Sequence, residues 1–129
     1  MKPTKTLSES TICCFGDSTT WGDNGCGAGG NDISWTSHLG ALLGGATIEN
    51  YGIKGSRIAV KADRSDSFVE RLDGIDDAAD IYIVFGGVND FSRNVPLGEL
   101  GSTDVHEFYG ALDYLIRTIT ARSPQAKLV

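Results

Sequence analysis

Hydrophobic positions along the chain fall into short runs whose period switches between that of a strand and that of a helix. Thr11–Phe15 (TICCF) is a β-prone run that stops at Gly16. From Ile33 to about Leu43 the spacing changes, and Trp35, Leu39, Leu42 and Leu43 predict one apolar helix face. Ala46–Tyr51 (ATIENY) alternates as a strand does and stops at Gly52. Ser67–Leu72 sets Phe68, Val69 and Leu72 at helical intervals, with Asp73-Gly74 ending the helix early. Asp80–Phe85 (DIYIVF) is a continuous apolar run of the kind buried on both faces of a parallel sheet, and it stops at Gly86-Gly87. The longest helix is predicted from about Val105 to Ala121, where Val105, Phe108, Leu112, Leu115, Ile116 and Ile119 lie three and four apart. Asp104 with Glu107 reads as its N-cap pair, Arg117 and Arg122 suit its C-terminal dipole, and Ser123-Pro124 ends it. Ala126–Val129 begins a fourth strand.

Strand and helix therefore alternate, which predicts one α/β domain over residues 1–129 with a parallel sheet. In such sheets ligands bind beyond the carboxyl ends of the strands. Three strand ends run directly into Gly16-Asp17-Ser18, Gly52-Ile53-Lys54-Gly55 and Gly86-Gly87-Val88-Asn89-Asp90. The convergence of three polar, glycine-rich strand ends on one edge is the functional signal of this sequence.

Composition narrows the chemistry. The net charge is −6, and no basic arm interrupts the sequence, so no nucleic-acid partner is expected. Glycine occurs 17 times among 129 residues, about twice average usage, in clusters rather than at a period. No apolar stretch reaches the ~18–20 residues needed to span a membrane. The polar start, Met1–Ser10, shows no signal-like core, and the expected compartment is the cytoplasm, with a secreted form after signal removal as the alternative. Of three cysteines, Cys13 and Cys14 are neighbours on a strand and point to opposite faces, which opposes pairing, while Cys26 stands in a glycine-rich loop.

A serine on a strand-end turn presents its hydroxyl at the sheet edge, and acyl transfer needs such a hydroxyl with donors aimed at the developing oxyanion. Ser18 supplies the hydroxyl; the Ser18 and Gly55 backbone N–H groups and the Asn89 side-chain amide supply three candidate donors. Each residue alone also reads as an ordinary turn former. Their joint occurrence at successive strand ends makes that reading poor.

Phe15-Gly16-Asp17-Ser18 followed by Trp21-Gly22 resembles block I of the SGNH hydrolases, also called the GDSL esterase/lipase family. Asn50–Gly55 (NYGIKG) resembles block II, and Gly87-Val88-Asn89-Asp90 resembles block III. The resemblance implies a flavodoxin-like three-layer α/β/α sandwich, incomplete at its C-terminus. It implies Ser18 as nucleophile, Gly55 and Asn89 completing the oxyanion hole, and Asp17 and Asp90 in support. The implied reaction is hydrolysis of a carboxylic ester or thioester through an acyl-serine, without a cofactor. The implied substrates are small esters: an acylated sugar, a lipid or a short-chain ester.

The family's block V, an Asp-x-x-His that supplies the general base, does not occur among these residues, so the sequence resembles the first two-thirds of an SGNH hydrolase. A sheet left without its last member predicts self-association through the open edge. Two readings stand beside the esterase: a non-catalytic flavodoxin-like module binding a small ligand, and a degenerate fragment. His38 falls well inside a predicted helix, and His106 in the first turn of the long one; neither has the spacing of a block V base. Gly25–Gly30 contains a formal G-x-G-x-x-G, but it follows its strand too late for a dinucleotide site and reads as a mobile loop beside the edge. Histidine and cysteine spacings match no metal site. Trp21 is a candidate wall of the acyl site or a core aromatic.

Overall fold

A computed structural model describes residues 5–129. The strands are β1 (Thr11–Gly16), β2 (Thr47–Gly52), β3 (Ile81–Phe85) and β4 (Lys127–Leu128). The helices are α1 (Ser18–Trp21), α2 (Trp35–Leu42), α3 (Phe68–Arg71), α4 (Val88–Ser92) and α5 (Phe108–Arg122). The four strands form one sheet in the order β2-β1-β3-β4, and every pairing is parallel. This is the flavodoxin-like α/β arrangement. The chain moves outward from β1 to β2 and then crosses back to β3, which creates the switch point at which such sheets open a crevice.

Side chains alternate across the sheet and build two cores. On one face Cys13, Phe15 and Tyr82 pack with Phe68 and Leu72 and with Ala111, Leu115 and Ile119 of α5. On the other, Ile12 and Cys14 pack with Trp35, Leu39 and Leu43 around α2. The adjacent cysteines thus lie on opposite faces as expected, and both are free thiols.

Several boundaries differ from the sequence reading. Leu42 is 79% exposed, because α2 ends there and Leu43 turns inward at the cap instead. Phe85 is 51% exposed, so β3 is not covered on both faces along its whole length. The long helix starts at Phe108 rather than Val105, and Asp104 and Glu107 do not cap it as a pair. Its opening amides are satisfied by the chain before it, with Phe108 N donating to Pro96 O at 2.9 Å and Tyr109 N to Leu97 O at 3.0 Å. Asp104 instead accepts the amide of His106 at 2.9 Å, and His106 lies outside the helix. Among the described residues no helix is long and apolar enough to cross a membrane.

Candidate active site

The β1/β2 register sets Gly16 opposite Gly52, and the β1/β3 register sets Gly16 opposite Phe85. The short helix α1 lies directly on these strand ends. A Cβ on Gly52 would come within 2.6 Å of the Thr20 carbonyl carbon and closer still to the Trp21 nitrogen; one on Gly16 would lie 2.9 Å from Phe85 O. Absent side chains at both positions let α1 sit where it does. Asp17, buried, caps the helix by accepting from Thr19 N at 3.0 Å. Ser18 is therefore the first residue of a helical turn, half-buried at the carboxyl edge of the sheet. Asn50 pins the arrangement: its Nδ2 donates to Thr20 O at 2.7 Å and Thr36 Oγ1 at 2.9 Å, and its Oδ1 accepts from Gly52 N at 2.8 Å.

Helix α4 follows β3 and ties its end to the loop after β2. Gly87, at φ +111°, makes the left-handed turn that starts this helix, and Asn89 and Asp90 occupy its first turn. Asn89 Nδ2 donates to Ser56 O at 2.9 Å, so the amide stands against the residue that follows Gly55. Asp90 is buried and accepts two consecutive amides, from Ile58 N at 2.8 Å and Ala59 N at 2.9 Å. Gly55 itself has φ +75°, and its α-carbon faces the Arg64 guanidinium so closely that a Cβ would lie 2.6 Å from Arg64 Nη1.

The rim carries paired charges. Lys54 pairs with Asp23 at 2.9 Å and lies over the Trp21 ring, 4.9 Å from its centroid. The Lys54 ammonium together with the Gly25 amide holds the Asp23 carboxyl below the usual carboxylate range. Arg64 is held by Asp66 and by Lys54 O, the latter at 2.8 Å. Beneath the edge lies Arg71, which the hydrophobic pattern does not single out. Its guanidinium reaches Gly16 O, Tyr51 O, Ser56 Oγ and Asp66 O.

Neither histidine joins these residues. His38 is exposed on α2. His106 Nδ1 lies 3.1 Å from Val60 O, in a cleft of about 600 Å³ lined also by Lys61, Asp63, Arg64 and Glu70 but not by Ser18. The glycine-rich segment forms a turn closed by an Asp23–Gly29 bridge, with Asn24 Oδ1 accepting from Cys26 N at 2.9 Å. Among the described residues no group of three or more His, Cys, Asp or Glu side chains is gathered to hold a metal ion.

Known proteins bear on this geometry. No curated protein matches the chain in sequence. One crystal structure superposes with a TM-score of 0.94 at 91% identity, over 96% of this chain and 57% of the other. A Lactobacillus plantarum protein is similar at 31% identity and a TM-score of 0.76, over 94% of this chain and 54% of its own. A possible lipase from Chitinophaga pinensis, at 24% identity and a TM-score of 0.73 over 93% of this chain and 47% of its own, shares the fold. The chain spans about half the length of these solved structures. A family model matches residues 14–129, and on that match the chain belongs to the GDSL-like lipase/acylhydrolase family.

Proposed function

We propose that this chain carries the nucleophile and the oxyanion-binding edge of a serine ester hydrolase. The observation that carries the reading is the Asn89–Ser56 bond of 2.9 Å, which brings the side-chain amide of one strand end against the Gly55 segment of another. Ser18 Oγ attacks the ester carbonyl. The carbonyl oxygen becomes an oxyanion received by Ser18 N, Gly55 N and the Asn89 Nδ2 hydrogen that Ser56 does not use. Collapse expels the alcohol and leaves an acyl-Ser18, which water then hydrolyses. Asp17 fixes the turn that presents Ser18, and Asp90 fixes the loop that presents Gly55. The substrate class is a small carboxylic ester.

A serine hydroxyl is a weak nucleophile unless a base takes its proton. His106 is held at Val60 O in a cleft that Ser18 does not line, and is not assigned that role. The 129 residues alone therefore hydrolyse p-nitrophenyl acetate little above background, since loss of the base in such enzymes costs on the order of 10⁶ in kcat.

The test avoids the need for a base by reading an equilibrium. Phenylboronic acid adds to a serine hydroxyl: the Oγ–B bond forms, the hydroxyl proton leaves to solvent, and boron becomes a tetrahedral anion resembling the oxyanion. Boron-11 NMR is expected to show a saturable tetrahedral signal with the native chain and none with Ser18→Ala. Equal spectra for the two would overturn the assignment of Ser18.

A further inference from the structure

We propose that Arg71 is the positioning residue of this edge, a single planar cation that sets the segments bearing Ser18 and Gly55 relative to one another. The inference rests on the esterase reading and names a residue which that reading does not use.

Arg71 stands on α3, far in sequence from every motif it touches. Nη2 donates to Gly16 O at 3.0 Å and to Ser56 Oγ at 3.0 Å. Nη1 donates to Tyr51 O at 2.9 Å, and Nε to Asp66 O at 2.9 Å. None of these acceptors is a carboxylate. Gly16 O ends β1 just before Asp17-Ser18, Tyr51 O lies at the end of β2, and Ser56 is the residue after Gly55. The carbonyl of that same Ser56 accepts from Asn89, so one guanidinium touches two of the three segments directly and the third through one residue.

The fork packs against a pair of touching aromatic rings. Its central carbon lies 4.7 Å from the Phe15 ring centroid and 5.1 Å from that of Phe68, and the two rings are 4.8 Å apart. Gly86 makes room for this stack, because a Cβ there would fall 2.8 Å from Phe68 Cε2. Burial draws the guanidinium down to about 10, against the opposing pull of Asp66 and Asp17, so it stays charged at neutral pH. An ordinary structural arginine neutralises a carboxylate. This one distributes its hydrogens over main-chain carbonyls and one hydroxyl in the strand-end segments, a task that needs a planar fork and that a lysine ammonium cannot perform.

The experiment compares native protein, Arg71→Lys, Arg71→Gln and Ser56→Ala, each well below its own thermal midpoint. Two readouts are taken: the nitrogen-15 NMR signals of Gly55 N–H and the Asn89 side-chain amide in the free protein, and phenylboronic acid affinity. Arg71→Lys and Arg71→Gln are expected to move or broaden both NMR signals and to weaken the adduct by about tenfold or more, the scale of one lost charge-assisted hydrogen bond. Ser56→Ala removes one arm of the fork together with the Ser56 Oγ bond to Asp66 O, and is expected to shift the same signals with the fold intact, which guards against Arg71 variants that fail to fold. Unchanged Gly55 and Asn89 signals in all folded variants would overturn the inference whether or not an adduct forms. Full retention of affinity by Arg71→Lys would overturn it as well, reducing the role to charge. A native protein that forms no adduct while Arg71 variants still disturb the two signals would refute the assignment of Ser18 and leave the positioning role standing.

Discussion

Asn89 donates its Nδ2 hydrogen to Ser56 O at 2.9 Å, which ties the start of α4 to the loop after β2. One hydrogen of the amide is thereby fixed in direction and the other is oriented with it. Asn89→Ala removes both and is expected to weaken phenylboronic acid binding by about 10²-fold, the scale of a lost oxyanion donor. Asn89→Asp replaces the donor with a carboxylate facing a carbonyl and is expected to bind more weakly still. A titration in which either variant matches the native chain would remove Asn89 from the proposed site.

Asp90 answers two neighbouring amides at once, Ile58 N and Ala59 N, from a buried position. Asp90→Ala strands both donors away from water. Each stranded group costs about 1–3 kcal/mol. Urea unfolding is expected to show a loss of about 2–6 kcal/mol for Asp90→Ala and a smaller one for Asp90→Asn, which keeps one acceptor. A loss under ~1 kcal/mol for Asp90→Ala would mean that the loop finds other partners.

The glycine-ended strands were legible because the requirement is local: α1 cannot lie on β1 and β2 unless Gly16 and Gly52 lack side chains. The motifs that follow those glycines were legible through their resemblance to the blocks of a known family. Arg71 was not, since its bond to Gly16 O spans 55 positions and no spacing rule connects them. The short helices α1 and α4 carry too few residues to show a period. The start of the long helix was misplaced because carbonyls of Pro96 and Leu97, not a side-chain cap, receive its first amides.

The Gly52 contact is with main chain, which cannot swing aside. Gly52→Ala is expected to destabilise by about 1–3 kcal/mol or more through overpacking and to displace α1, weakening the boronate adduct in step. Gly74→Ala is the control, because nothing lies within 4 Å of the Cβ it would add. Equal midpoints for the two variants would show that α1 yields more easily than its contacts imply.

Thiol chemistry tests the sheet's interior. Burial pushes the Cys13 thiol up to about 12, helped by the negative charge of Glu49, and pushes Cys14 up to about 11. At pH 8 their thiolate fractions are at most about one part in a thousand, whereas Cys26 is exposed. Iodoacetamide is therefore expected to modify one cysteine in the folded chain, Cys26, and all three in urea. Rapid labelling of Cys13 or Cys14 under native conditions would mean that the sheet opens readily.

Glu49 links stability to pH with an unusual sign. It stands beside Cys13 in the β1/β2 register, and its Oε2 is buried without a hydrogen-bond partner. Burial and the neighbouring Asp76 carboxylate raise its pKa above the ordinary 4.5, and Tyr51 is raised in turn by burial and by Glu49. The folded state therefore holds the Glu49 proton more tightly than the unfolded chain does. Below the ordinary value both states are protonated and the group imposes no penalty. As pH rises through that value the unfolded chain ionises first, so stability falls until the raised folded value is passed and then levels off. Glu49→Gln cannot ionise, and its amide can donate toward Asp76 as the protonated acid does. Thermal melts are expected to show Glu49→Gln above the native midpoint at pH 8 and level with it near pH 4. A variant that is equally displaced at both pH values, or destabilised at pH 8, would show that Glu49 carries its charge in the fold without strain.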